Sequence, residues 1–288
     1  MKKSLLTAAF ILLTFTLSWA QLKKTASCCS NPYAAPMAFA RLTHDQQFVS
    51  GHESPLPYKH VSELGKMIAF PTPDGKTANA YELKAAKKSN KYLLVYQEWW
   101  GLNEHIKKEA ETYFKDLKDV NVIALDLYDG KIASEAAEAV KLVQAAQPER
   151  IVNIIKGAQA YAGNKAELAS IGWCFGGSWS LQSAIITGKQ AKGCVLFYGM
   201  PEKDVARLKT LNCDVLGFFA GREKNINPEV VKQFEANMKA AGKKVKTKIY
   251  DAEHAFANPS NPNYHREYAA ETHQLAVTYL KDRFDLKK

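Results

Sequence analysis

The chain is poor in the signatures of metal and disulfide proteins. Its five cysteines form no CxxC pair, and none of its seven histidines completes an HExxH motif. The most specific zinc patterns are therefore missing, and neither a metal nor another cofactor is expected. No internal repeat is visible, which speaks against solenoids and propellers. The apolar run near the start, residues 5–19, is shorter than the roughly 20 residues that a membrane-spanning helix needs. Acidic residues are also scarce, 29 against 39 Lys and Arg, for a net charge of +10. A basic surface can attract nucleic acid, but here the lysines are scattered. In the densest stretch, Lys244, Lys246 and Lys248 alternate with Val245, Thr247 and Ile249. That is a strand with one wet face, where lysine protects an exposed sheet edge, and no nucleic-acid partner is expected.

What is present is an ordinary globular composition, 47% hydrophobic and 24% charged, long enough to bury a large core without disulfides. Lys2 and Lys3, the apolar run and Ser18-Trp19-Ala20 read as a Sec-type signal peptide over residues 1–20, cleaved after Ala20. The rival is an uncleaved membrane anchor, for which the run is short. A lipoprotein fits less well, because Cys28 lies beyond Lys23 and Lys24. The mature protein is then periplasmic or secreted, with no stable membrane insertion, and loses the two charges of Lys2 and Lys3. The odd cysteine count (Cys28, Cys29, Cys174, Cys194 and Cys213) leaves at least one thiol unpaired within an exported chain. Residues 21–62 show no sustained period and contain Pro55 and Pro57. They read as an irregular arm that packs on a single domain over 63–288 but lies outside its catalytic core.

From residue 67 the pattern becomes regular. Two strands flank Pro73-Asp74-Gly75 as a hairpin. Tyr92 to Tyr96 is an unbroken apolar strand, and Asn103 caps a helix with Ile106, Ala110, Tyr113, Phe114 and Leu117 on one face. Strands are expected over 120–128, 168–173, 191–198, 215–220 and 244–250. Helices are expected on both sides of Pro148 and over 176–186, from Pro228, and over 267–284. This alternation predicts an α/β fold with a mostly parallel, doubly wound sheet and helices on both faces. In such sheets the site forms at the carboxyl ends of the strands.

Chemistry concentrates at Gly172-Trp173-Cys174-Phe175-Gly176-Gly177, between an apolar strand and a helix. This is the spacing of a nucleophile elbow with cysteine in place of serine. The tight turn needs small residues two positions either side of the nucleophile, and the following helix N-terminus favours a thiolate. The bland alternative is a structural cysteine in a Gly-rich turn. A base should follow after a late strand. His254 does, whereas His44, His52 and His60 lie in the arm and His105, His265 and His273 lie on or beside helices. Glu223, after the strand ending at Ala220, has the place of the third member, while Asp214 sits at the wrong end of that strand. Gln97-Glu98-Trp99-Trp100-Gly101 ends another strand. Elbow folds draw one oxyanion donor from this loop and one from the residue after the nucleophile, which assigns the N–H groups of Trp99 and Phe175. Trp100 and Trp173 are expected to wall the substrate pocket, with core packing as the alternative.

With these residues placed, the sequence resembles the dienelactone hydrolase family of α/β-hydrolases from about Met67 to Phe284. The resemblance rests on the 97–103 and 172–177 segments, Asp126-Leu127-Tyr128 and His254-Ala255-Phe256-Ala257. It implies a Cys–His–acid triad of Cys174, His254 and Glu223, with Glu223 in place of the family's aspartate. It also implies that Glu98 is an extra carboxylate that helps to generate the thiolate when substrate arrives. Where the family enzyme that opens dienelactone has a serine and an arginine after its histidine, this chain has Ala255 and Asn258. The expected activity is hydrolysis of a small-molecule carboxylic ester or lactone through a thioester. The alternatives are a non-catalytic binding protein on the same fold, or a redox protein pairing Cys174 with Cys28 or Cys29.

Overall fold

A computed structural model of the chain describes residues 33–62 and 64–286. The signal-peptide reading over 1–20 and the residues Cys28 and Cys29 lie outside them. The arm departs from expectation. It forms two helices, α1 (Ala34–Leu42) and α2 (Gln46–Ser50). Pro36 sits in the first turn of α1, where a missing N–H does no harm, and the Asp45 carboxylate caps α2 by accepting from Gln47 N–H. Phe39 and Phe48 are buried in the main core, so the arm packs on the domain through two helices instead of an irregular chain.

The hairpin is β1 (Lys66–Pro71) and β2 (Thr77–Leu83), paired antiparallel. Then follow β3 (Lys91–Tyr96), α3 (Glu104–Leu117), β4 (Asn121–Leu125), α4 (Ala136–Ala145), α5 (Pro148–Ala162) and β5 (Glu167–Trp173). The second half is α6 (Phe175–Ile186), β6 (Ala191–Phe197), α7 (Val205–Leu208), β7 (Val215–Ala220), α8 (Pro228–Ala240), β8 (Val245–Tyr250) and α9 (Arg266–Arg283). Asn103 caps α3 as expected, accepting from Ile106 N–H. The strand expected over 120–128 is shorter. It stops before Asp126, whose carboxylate turns back to accept from Tyr128 and Gly130 N–H.

The eight strands form one sheet in the order β1-β2-β4-β3-β5-β6-β7-β8. Only β2 breaks the parallel run, pairing antiparallel with both β1 and β4. The central strands β3 to β7 are apolar and buried on both faces, as a sheet with helices on each side requires. β8 is an edge strand, which suits its lysines. Its wet face is less clean than the alternation implied, because Ile249 is 42% exposed while Lys248 is drawn to Glu271 on α9. Register brings the functional ends together. Tyr96 at the end of β3 pairs with Gly172 in β5, and Ala220 at the end of β7 pairs with Tyr250 at the end of β8.

Candidate active site

The turn between β5 and α6 is an elbow in geometry as well as in spacing. Cys174 has φ 58° and ψ −121°, a region costly for a residue with a Cβ and held only where the surroundings over-determine it. Its N–H donates to Phe197 O on β6, and its carbonyl accepts from Gly177 N–H. The flanking glycines are obligatory. A Cβ on Gly172 would stand 2.2 Å from Gly176 O, and one on Gly176 would stand 2.3 Å from Gln97 O. The turn can therefore press α6 against the β3 loop only without those side chains. Phe175 opens α6, so its N–H has no partner inside the helix.

His254 follows β8 and reaches back over the elbow. Its Nδ1 lies 2.8 Å from Glu223 Oε2, and both side chains are buried. Its Nε2 has no hydrogen-bond partner among the described residues and faces the thiol. Burial alone would hold the imidazole down, but the Glu223 carboxylate and then Cys174 outweigh it and push His254 well above its ordinary value. Burial drives the Cys174 thiol up, against the opposing pull of His254. Burial thus favours the thiol form of Cys174, beside an imidazole that the Glu223 carboxylate makes more basic.

Glu98, after β3, is buried beside them. Asn258 Nδ2 donates to its Oε2 at 2.5 Å, while Oε1 has no hydrogen-bond partner among the described residues. Burial raises Glu98 to about 7, partly offset by His254 and Asn258. The neutral carboxyl is the form that the fold prefers, so its stabilising contribution is complete below the ordinary carboxylate value and is lost as pH rises through about 7. Stability of the wild type should fall between pH 5 and pH 8 by up to about 3 kcal/mol from this group, and Glu98→Gln should flatten that dependence. Denaturant midpoints at the two pH values check this. An unchanged slope in the variant would assign the dependence to another group.

The tryptophans divide. Trp173 lines a small cavity of about 60 Å³, together with Glu98, His105, Lys108, Glu109 and Asn258. Trp100 does not line it; it is packed edge-on against Trp99 inside the core. Asn258 is in place, but its amide is engaged, donating to Glu98 and accepting from Ser260.

The residue that sequence reasoning passed over is His52. The arm carries it into the site, where its Nε2 stands 3.9 Å from Cys174 Sγ. Its ring lies 4.6 Å from Trp99 and 4.7 Å from His254, centroid to centroid. Its Nδ1 donates to Phe48 O at 2.6 Å, and burial, followed by the His254 charge, pushes it down to about 3. Phe48 packs on Trp99 and His254, so α2 roofs the thiol, which is only 1% exposed. A wider groove of about 350 Å³ runs between α2 and the loops after β7 and β8, lined in part by His52, Glu223 and His254. Among the described residues no helix is long and apolar enough to cross a membrane.

Known proteins agree with this architecture. Over 229 residues the chain is 27% identical to a Yersinia pestis protein assigned as a carboxymethylenebutenolidase, covering 72% of this chain and 84% of that one. A protein of Aquifex aeolicus with the same assignment is 24% identical over 230 residues, 76% of this chain and 98% of the relative. Among solved structures, a dienelactone hydrolase-type protein from Klebsiella pneumoniae superposes with a TM-score of 0.63 at 22% identity, covering 75% of this chain and 98% of its own. A dienelactone hydrolase-like promiscuous phosphotriesterase from metagenomic libraries gives 0.66 at 19% identity, covering 77% and 99%. These superpositions establish the shared fold. The family model of the dienelactone hydrolases matches residues 78–284, a span that holds the elbow, Glu98, Glu223 and His254, and the chain belongs to the dienelactone hydrolase family as a hydrolase of the α/β-hydrolase fold.

Proposed function

We propose that the protein hydrolyses small carboxylic esters or lactones through a thioester on Cys174. The observation that carries this is the buried elbow thiol facing a histidine that Glu223 holds by Nδ1. His254 takes the proton of Cys174 to give thiolate and imidazolium, with the Glu98 carboxyl beside them acting on the thiol through its charge state. The thiolate attacks the carbonyl, and the N–H groups of Trp99 and Phe175 stabilise the oxyanion. The imidazolium gives its proton to the leaving alcohol, and the neutral imidazole then activates water to cleave the thioester. Glu223 fixes the tautomer and balances the imidazolium charge. A peptide is a poorer substrate than an ester, because from the tetrahedral intermediate the thiolate leaves more readily than an amine.

Neutral acyl groups fit best. Asn258 occupies the place of a cationic clamp with an amide already committed to Glu98, and Ala255 offers no hydroxyl. Arg222, the nearby guanidinium, is paired with Asp251 at 2.7 Å. Two carboxyls, Glu98 and Glu109, share the cavity with Lys108. Lost hydrogen bonds to a substrate carboxylate cost about 1.5–3 kcal/mol each, one to two decades in kcat/KM. A panel pairing a neutral ester with an anionic lactone of similar size tests this, run with and without iodoacetamide. Turnover of the neutral ester that alkylation removes is expected. A tenfold advantage for the anionic lactone would mean that Lys108 or another cation serves as a clamp. Export with cleavage after Ala20 belongs to the same reading, and the intact mass of the native protein tests it.

A further inference from the structure

Three side chains meet at the thiol, one more than thioester chemistry uses. Cys174 Sγ and one ring nitrogen each of His52 and His254 all lie within 4.8 Å of one another, and all three residues are buried. Each imidazole is anchored through its other nitrogen. His52 Nδ1 donates to Phe48 O at 2.6 Å, and His254 Nδ1 lies 2.8 Å from Glu223 Oε2. In the neutral rings these bonds place the N–H on Nδ1 and leave an in-plane lone pair on each Nε2. Carbonyl and carboxylate partners of this kind orient metal-binding histidines and make them more basic. With metal–sulfur and metal–nitrogen bonds of about 2.3 and 2.0 Å, a tetrahedral ion sets sulfur and nitrogen about 3.5 Å apart. The 3.9 Å between Cys174 Sγ and His52 Nε2 needs a closure of only about 0.4 Å to meet that. One thiolate and two imidazoles form a donor set for a borderline-soft ion.

We propose that Cys174, His52 and His254 bind a divalent cation of the zinc class, with water in the fourth position, and that its occupation reversibly silences the enzyme. On binding, the thiol loses its proton to solvent and the sulfur and two imidazole lone pairs go to the metal. No oxidant or reductant is involved. The sulfur pair and the His254 pair are the ones that the thioester route uses to attack the carbonyl and to move protons, so the bound metal and an acylated thiol exclude each other. Because His52 belongs to the arm, the metal would also tie α2 to the elbow. The silencing rests on the proposed thioester chemistry; the metal binding does not.

The test is titration of the reduced full-length protein with Cd²⁺, read by thiolate-to-metal charge-transfer absorption, alongside inhibition of ester turnover by Zn²⁺. One ion per chain is expected to give a band that Cys174→Ser removes, whatever the other cysteines bind. His52→Ala and the size-conserving His52→Gln should weaken binding at least about tenfold, a loss typical of disturbing even the outer shell of a metal site. Circular dichroism establishes that each variant is folded, and a chelator should restore turnover to the inhibited wild type. Equal affinity in wild type and a folded His52 variant would overturn the site, and so would a Cys174→Ser protein whose charge-transfer band and Cd²⁺ stoichiometry match those of the wild type. Binding as described in a protein that turns over no ester would leave the metal site standing and remove the substrate reading instead.

Discussion

Cys174→Ala is expected to lower ester turnover by at least about four orders of magnitude, as removal of a covalent nucleophile does in other triad enzymes. The loss should fall on kcat, because the oxyanion donors and the cavity remain. Stability should change little. The side chain is small, and the strained backbone is held by its N–H to Phe197 O, by Gly177 N–H on its carbonyl and by the close approach of Gly176 to Gln97. Alanine removes the thiol without adding bulk, and the expected change is about 1 kcal/mol. Initial rates on a neutral ester, with the melting curve of the same preparation, check both halves. A variant that keeps most of the wild-type rate would relieve Cys174 of the nucleophilic role.

The elbow was legible because its constraints are local. A strand, a nucleophile between small residues and a helix start occupy consecutive positions, and the clashes that a Cβ at Gly172 or Gly176 would make give the reason for that spacing. His254 and Glu223 were legible from order, since strands that alternate with helices must end on the same edge of a parallel sheet. The arm was not. Its helices are short, one holds a proline, and their burial rests on isolated aromatics, Phe39 and Phe48, that dock on distant partners. His52 meets Cys174 across 122 positions of chain. No period or motif encodes that contact, and the capped helix start at Asp45 was the local sign that the arm is ordered. Trp100 illustrates a related limit: adjacency to Trp99 could not tell which indole turns inward, and neither ring reaches the cavity that Trp173 lines. The position of β8 at a sheet edge was read correctly from its lysines, although Ile249 is exposed there as well.

Glu223→Gln carries the second large effect and tests the least familiar part of the proposed triad. The carboxylate contributes in two ways. It accepts from His254 Nδ1, which fixes the tautomer with Nε2 facing the thiol, and its charge is the first of the influences that lift the buried imidazole against the cost of desolvation. A glutamine keeps the size and can still accept one hydrogen bond, but it offers no charge and can turn its NH₂ toward the ring, favouring the wrong tautomer. An amide in place of a triad acid lowers kcat by about 10⁴ elsewhere, and a loss of two to four decades is expected here with KM nearly unchanged. The titration gives an independent reading. Without the carboxylate the buried imidazolium is less well supported, so the His254 midpoint should fall, and NMR of labelled histidine separates it from His52, which burial already holds low. Glutamate is one methylene longer than the family's aspartate, and the 2.8 Å contact with Nδ1 implies that the loop after β7 accommodates the extra length. Glu223→Asp should therefore fall short of the imidazole and recover only part of the activity. A loss below a few-fold in Glu223→Gln, with the His254 midpoint unmoved, would take the acid role away from Glu223.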